Sequence, residues 1–191
     1  ITGRKSEVPI TPAPGRVPVT LVIPCSNEES SLPYLHRTMQ HLRFTLNRNW
    51  DLKVLFVDDC SCDNTYEVLE PLFGGDSDIS IIRHDPNRGV SAAILTAIHA
   101  AKTEIVASID CDCSYDPLEL QNMLPLMTKD VAMVTASPYH VDGKVSNVPK
   151  WRLVLSHTLS MMYRKLLKKD LSTWTSCFRI YRKLQIVDLP L

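Results

Sequence analysis

The chain has 191 residues, 45% of them hydrophobic, and its 21 basic side chains balance 21 acidic ones. Zero net charge removes a global electrostatic case for nucleic-acid binding, 7% aromatic content leaves few stacking platforms for single strands, and the apolar fraction excludes wholesale disorder. With no apolar run of the roughly 18–20 residues that spans a bilayer, and no basic-then-apolar leader at the start, the expectation is one cytoplasmic domain large enough to bury a core.

Residues 1–18 hold Pro9, Pro12, Pro14 and Pro18 without a hydrophobic period, which predicts an extended lead-in and a domain over 19–191. From there short apolar runs alternate with amphipathic ones: a strand at 19–23, a helix at 28–47, a strand at 53–57, a helix at 64–72. The alternation continues with a strand at 79–82, a helix at 89–101, a strand at 105–109, a helix at 117–127 and a strand at 131–135. Strands of about five residues separated by helices predict an α/β fold, a mostly parallel central sheet flanked by helices. After Thr135 the rhythm breaks, and a helix over 151–168 and a last strand over 177–181 are expected.

Charge is balanced in total but not along the chain. Residues 1–143 carry 11 basic and 19 acidic side chains, whereas 144–183 carry 10 basic ones and only Asp170. An acidic part followed by a basic part suggests a cation-requiring site and an anionic ligand or surface, although a solvated basic helix face gives the same pattern. The six cysteines sit in or beside apolar runs and predict reduced thiols. Cys60/Cys62 and Cys111/Cys113 have a C-x-C spacing tighter than zinc knuckles use.

In open α/β sheets ligands bind beyond the carboxyl ends of the strands, and four such ends are polar here. They read Pro24-Cys25-Ser26-Asn27-Glu28-Glu29, Asp58-Asp59-Cys60-Ser61-Cys62-Asp63, His84-Asp85-Pro86-Asn87-Arg88-Gly89 and Asp110-Cys111-Asp112-Cys113-Ser114. None contains a dinucleotide fingerprint or a Walker loop. Asp110 and Asp112, two residues apart past a strand, are hard oxygen ligands suited to Mg2+ or Mn2+ carrying a diphosphate, or else capping groups of the following turn.

Taken together, these motifs resemble the family 2 glycosyltransferases of the GT-A fold, and most closely the dolichyl-phosphate mannose synthase-like branch that charges polyprenyl phosphates. The residues that carry the resemblance are Pro24 to Glu28, Val57-Asp58-Asp59-Cys60-Ser61-Cys62-Asp63-Asn64-Thr65, Asn87-Arg88-Gly89, Asp110-Cys111-Asp112, Arg152-x-x-x-Ser156 and the run from Asp170 to Arg182. The chain departs from the family pattern at Ser26 for an aromatic, Cys60 and Cys177 for glycines, Ser114 for an amide metal ligand, and Pro138 for an arginine. The resemblance implies a single Rossmann-like GT-A catalytic domain, truncated at its C-terminus.

It further implies that Pro24, Ser26, Glu28, Val57, Asp59, Asp110, Cys111 and Asp112 bind a GDP- or UDP-sugar. Asp112 would hold the metal, with Asp110 and Ser114 as further candidates. Arg152 and Ser156 would face an acceptor phosphate, which makes Asp110, Asp112 and Arg152 the expected catalytic residues. A phosphate acceptor needs no general base, in keeping with the lack of any Asp or Glu between Lys144 and Lys169. The expected enzyme is thus an inverting transferase acting on polyprenyl phosphate, in peripheral contact with the cytoplasmic face of a membrane. The alternatives are transfer to a glycan hydroxyl, with Asp170 or a later segment as base, and an inactive nucleotide-sugar binding module. A nucleotidyltransferase is disfavoured, since 25–29 holds no basic residue to grip a triphosphate.

Overall fold

A run of Val, Thr, Leu and Ile between two prolines forms the first strand, β1 (Val17–Cys25). The computed structural model describes residues 15–137, 158, 159, 161, 162, 166 and 176–186. β1 pairs in parallel with β2 (Trp50–Asp58) along its whole length, and with β4 (Ile105–Ser108) only from Val19 to Val22. Pro18 and Pro24 both fall outside the stretch flanked on two sides, so two prolines fit a central strand that is longer than its apolar centre predicts.

β3 (Ile79–Arg83) extends the parallel sheet beyond β2, while β6 (Arg179–Arg182) runs antiparallel between β4 and β5 (Met133–Thr135). The strand order is β3-β2-β1-β4-β6-β5. The expected mostly parallel sheet is present, and the antiparallel member is the strand that follows the break in rhythm.

Helices cover both faces. α1 (Leu32–Leu46) buries Leu32, Leu35, Met39, Leu42 and Leu46, spaced three and four apart, and α2 (Thr65–Phe73) adds Leu69 and Phe73. These pack with Leu21, Ile23 and Phe56 of the sheet and with Phe178 in the larger core cluster. On the other face α3 (Val90–Ala100) lays Ala93, Ala97 and Ile98 against Val22, Val57 and Val106. Two alanines on that stripe let the helix approach the strands closely.

The helix expected over 117–127 is broken into a 3-10 turn (Pro117–Glu119), a single α turn, α4 (Leu120–Met123), and another 3-10 turn (Leu124–Leu126). Pro125 explains this, since it has no N–H to donate and its ring clashes with the carbonyl four residues back. Asp116 caps the first turn through Leu118 N at 2.9 Å.

Two cations of the basic stretch are bound into the fold. Arg182 pairs with Glu104 and donates to Thr128 O at 2.7 Å, and Lys183 donates to His99 O at 3.1 Å and to Ala101 O beyond the last turn of α3. Of the helix expected over 151–168, Thr158, Leu159, Met161, Met162 and Leu166 are described and helical. Pro138, Arg152, Ser156 and Asp170 lie outside the described residues.

Candidate functional site

The carboxyl ends of β2, β1 and β4 are neighbours in the sheet, so the loops after them meet. The loop after β1 is tied to the loop after β2 from both sides. Asn27 N donates to Ser61 Oγ at 3.0 Å and Cys62 N returns a bond to Asn27 Oδ1 at 2.8 Å. Glu28 N reaches Thr65 Oγ1 at 2.7 Å, Glu29 N reaches Asp63 Oδ2 at 3.3 Å, and Asn64 N reaches Glu29 Oε2 at 3.0 Å. Because Glu28 and Glu29 are committed in this way, α1 starts at Leu32 rather than at 28. Asp63 also takes Thr65 N at 3.0 Å, anchoring the start of α2.

Asp59, at the end of β2, organises the neighbouring loop. Its Oδ1 lies 2.6 Å from His84 Nδ1 and accepts from Arg88 N at 2.9 Å, while Oδ2 accepts from Gly89 N at 2.7 Å. Asn87 Nδ2 donates to the Asp59 carbonyl at 2.7 Å, and His84 Nε2 lies 2.9 Å from Thr96 Oγ1 on α3. Burial opposes charge on Asp59, but the Arg88, His84 and Gly89 donors outweigh it and hold the carboxyl below its ordinary range. The carboxylate also sits at the positive end of α3. Gly89 has φ +85°, and a Cβ there would meet nothing within 4 Å, so the glycine is needed for its backbone conformation rather than for space.

A cleft of about 260 Å³ opens over these ends, lined by Pro24 and Cys25 of β1, by Ser26 and Glu28 of the loop after it, by Asp59, by Asn87, Gly89 and Val90, and by Asp110, Cys111 and Asp112. Four carboxylates and no Lys, Arg or His line it among the described residues. Burial raises the Asp110 carboxyl above its ordinary value; a hydrogen bond with Cys177 offsets part of that, and the charges of Asp112 and Glu28 add to it. Asp112 uses Oδ1 to accept Ser114 N at 2.9 Å. Among the described residues no three His, Cys, Asp or Glu side chains converge on one point. That donor set fits Mg2+ or Mn2+, which take one or two carboxylates and complete their shell from water and substrate phosphates.

The sequence matches the family model for glycosyl transferase family 2 over residues 20–185. The chain belongs to glycosyl transferase family 2. Similar family members include the polyprenol monophosphomannose synthase of Mycolicibacterium smegmatis, 29% identical over 175 residues, a match covering 88% of this chain and 64% of that protein. The dolichol-phosphate mannosyltransferase of Pyrococcus furiosus is 26% identical over 167 residues, covering 86% of this chain and 46% of its own length. The chain thus spans about half to two thirds of the length of these relatives. The fold is GT-A: glucosyl-3-phosphoglycerate synthase from Mycobacterium tuberculosis, crystallised with Mn2+, uridine diphosphate and phosphoglyceric acid, superposes with a TM-score of 0.66 at 17% identity, covering 93% of this chain and 59% of that one.

Within this family 2 fold the structure brings Pro24, Ser26, Glu28, Asp59, Asp110, Cys111 and Asp112 to one cleft. Two expected residues stand elsewhere. Val57 is fully buried in the cluster under α3, outside the cleft lining. Ser114 is exposed outside the cleft lining, and its backbone N–H orients Asp112. His84, Asn87, Gly89 and Val90 were not among the expected site residues. The N-x-G tripeptide signalled two of them, whereas the buried pairing of His84 with Asp59, 25 residues apart, leaves no local pattern.

Three thiols around the cleft, Cys111, Cys113 and Cys177, are pushed towards the neutral form. A hydrogen bond with Cys25 and burial push Cys111 far up, and burial raises Cys113 and Cys177 to about 12, with the Asp110 charge adding to Cys177. They act as packing groups.

Proposed function

We propose that the chain is the catalytic part of an inverting, metal-dependent glycosyltransferase that moves a sugar from a nucleoside-diphosphate sugar to a polyprenyl phosphate. The observation that carries this is the cleft at the ends of β2, β1 and β4, which among the described residues is lined by four carboxylates and no cation, with Asp110 and Asp112 at one end and Asp59 at the other. A diphosphate enters so acidic a site only together with a cation, and Asp112, with Asp110 beside it, would hold Mg2+ or Mn2+. When bound, the metal supplies positive charge to the leaving diphosphate.

The names of the relatives support the acceptor, since one prints a transfer of mannose with dolichol phosphate and the other the synthesis of a polyprenol monophosphomannose. A phosphate monoester carries about −1.5 to −2 charge at neutral pH and attacks without a general base, so the protein needs only to position it. Arg152 is suited to that task through the bidentate fork of its guanidinium, with Ser156 four residues on in the sequence. Attack at the sugar C1 from the face opposite the diphosphate forms the new C1–O bond as the old one breaks, inverting the anomeric centre.

No helix among the described residues is long and apolar enough to cross a membrane. Met161, Met162 and Leu166 are exposed in a stretch rich in basic residues, which supports peripheral contact with a membrane surface at its cytoplasmic face. The test is incubation of the protein with radiolabelled GDP- and UDP-sugars, Mn2+ and polyprenyl phosphate, followed by solvent extraction. Labelled lipid is expected. Label that passes to a glycan hydroxyl and never to the lipid overturns the acceptor assignment, and donor that binds without any transfer marks a binding module.

A further inference from the structure

α1 carries no acidic side chain, although it lies in the acidic part of the chain. Residues 30–50 hold Arg37, Arg43, Arg48, His36 and His41 and neither Asp nor Glu, whereas residues 1–143 as a whole carry 19 acidic side chains against 11 basic ones. The buried leucines and Met39 fill one side of the helix. At about 3.6 residues per turn, Tyr34, Arg37, His41 and Phe44 fall in a single line on the opposite side, and Arg48 stands four residues after Phe44 in the turn that follows. All five are exposed, Phe44 by 82%. Arg43, off this line, pairs with Asp76, and among the described residues no carboxylate pairs with Arg37 or Arg48.

Single exposed apolar side chains are ordinary, but a face meant only for water mixes both signs of charge. Aromatic rings interleaved with cations, and free of acid, suit an anionic lipid surface instead. The guanidinium groups meet headgroup phosphates while the Tyr34 and Phe44 rings enter the boundary between headgroups and acyl chains. The position of the helix agrees with this. The loop that brings Ser26 and Glu28 to the cleft runs on into α1, so Tyr34, in the first turn, stands at the carboxyl end of the sheet. The four carboxylates of the cleft are repelled by an anionic surface, and a cationic face beside them supplies the attraction that holds the cleft mouth there.

We propose that the outer face of α1, through Arg37, Arg48, Tyr34 and Phe44, docks on an anionic lipid bilayer. This deepens the membrane contact of the proposed function and rests on it, adding a second contact to the one at Met161, Met162 and Leu166.

Flotation of the full chain with vesicles of phosphatidylcholine alone, and of phosphatidylcholine mixed with phosphatidylglycerol, tests it. The wild type is expected to float with the anionic vesicles and to be released by high salt. The double variant Arg37→Gln/Arg48→Gln should bind them about tenfold or more weakly, and Phe44→Ser should also weaken binding. All three positions are exposed, so both variants should melt like the wild type. Sugar transfer to polyprenyl phosphate in detergent, where no bilayer is present, should be unchanged in them, which tests the transferase reading separately. Variants that float with wild-type affinity overturn the α1 assignment and leave the contact at Met161, Met162 and Leu166 standing. A wild type that floats with neither kind of vesicle overturns both contacts. A wild-type dimer that Phe44→Ser dissolves, with no vesicle binding, gives the face to a second copy of the chain and likewise overturns the proposal.

Discussion

Cys60 holds φ +57°, in the left-handed region where a side chain crowds the following carbonyl. The sequence resemblance places a glycine at this position, and the backbone gives the reason. Relief of that crowding outweighs the added freedom of an unfolded glycine, so Cys60→Gly should raise stability by about 0.5–1 kcal/mol in urea denaturation. Asp59 makes the opposite case. Its three donors favour the charged form, so its folded carboxyl titrates below the unfolded one near 3.8. Its stabilisation is complete above the unfolded value and lost as pH falls through the folded one. Asp59→Asn should therefore lower stability by about 1.5–3 kcal/mol at pH 7, the worth of a hydrogen bond to a charged group, with a smaller difference from wild type at pH 3. A difference that does not shrink with acidification contradicts the charged network.

At the scale of elements, the βα alternation was legible because each strand is an apolar run and each helix has its own period. What escaped was set by pairing and by single prolines. The ends of β1 depend on how far β2 and β4 run beside it, and the break in 117–127 depends on Pro125. For the site, the motif residues announced seven members of the cleft, because the motifs fall at the carboxyl ends of adjacent strands, where the loops meet. Val57 adjoins the motif, but its side chain packs in the α3 cluster rather than in the cleft lining. His84 was missed because its partner is distant in the chain. The loop lacing is likewise tertiary, and Asp63 is its clearest test. It serves both Thr65 N of α2 and Glu29 N of the β1 loop. Asp63→Ala should cost about 1–2 kcal/mol, the upper range of a lost cap. It should also weaken nucleotide binding, because the loop that carries Glu28 loses its tether. A variant that loses stability but keeps wild-type affinity separates the lacing from the site.

For the whole molecule, the distribution of charge is the organising feature. Four of the acidic side chains ahead of residue 144, Glu28, Asp59, Asp110 and Asp112, meet at the cleft, while part of the basic stretch that follows fastens β6 to its neighbours through Arg182 and Lys183. On the proposed reading a cation serves the nucleotide and not the fold. Chelation should leave the melting temperature of the free protein unchanged while abolishing the rise in melting temperature that a nucleoside diphosphate brings. The most direct measurement is calorimetric titration of the wild type and Asp112→Asn with a nucleoside diphosphate, with and without Mn2+. Asp112 is exposed at its strand end, so the variant should melt like the wild type. The wild type should bind far more tightly with Mn2+, and Asp112→Asn should show no such gain. Equal Mn2+-dependent affinity in the two proteins contradicts the placement of the metal and the diphosphate at the Asp110–Asp112 end of the cleft.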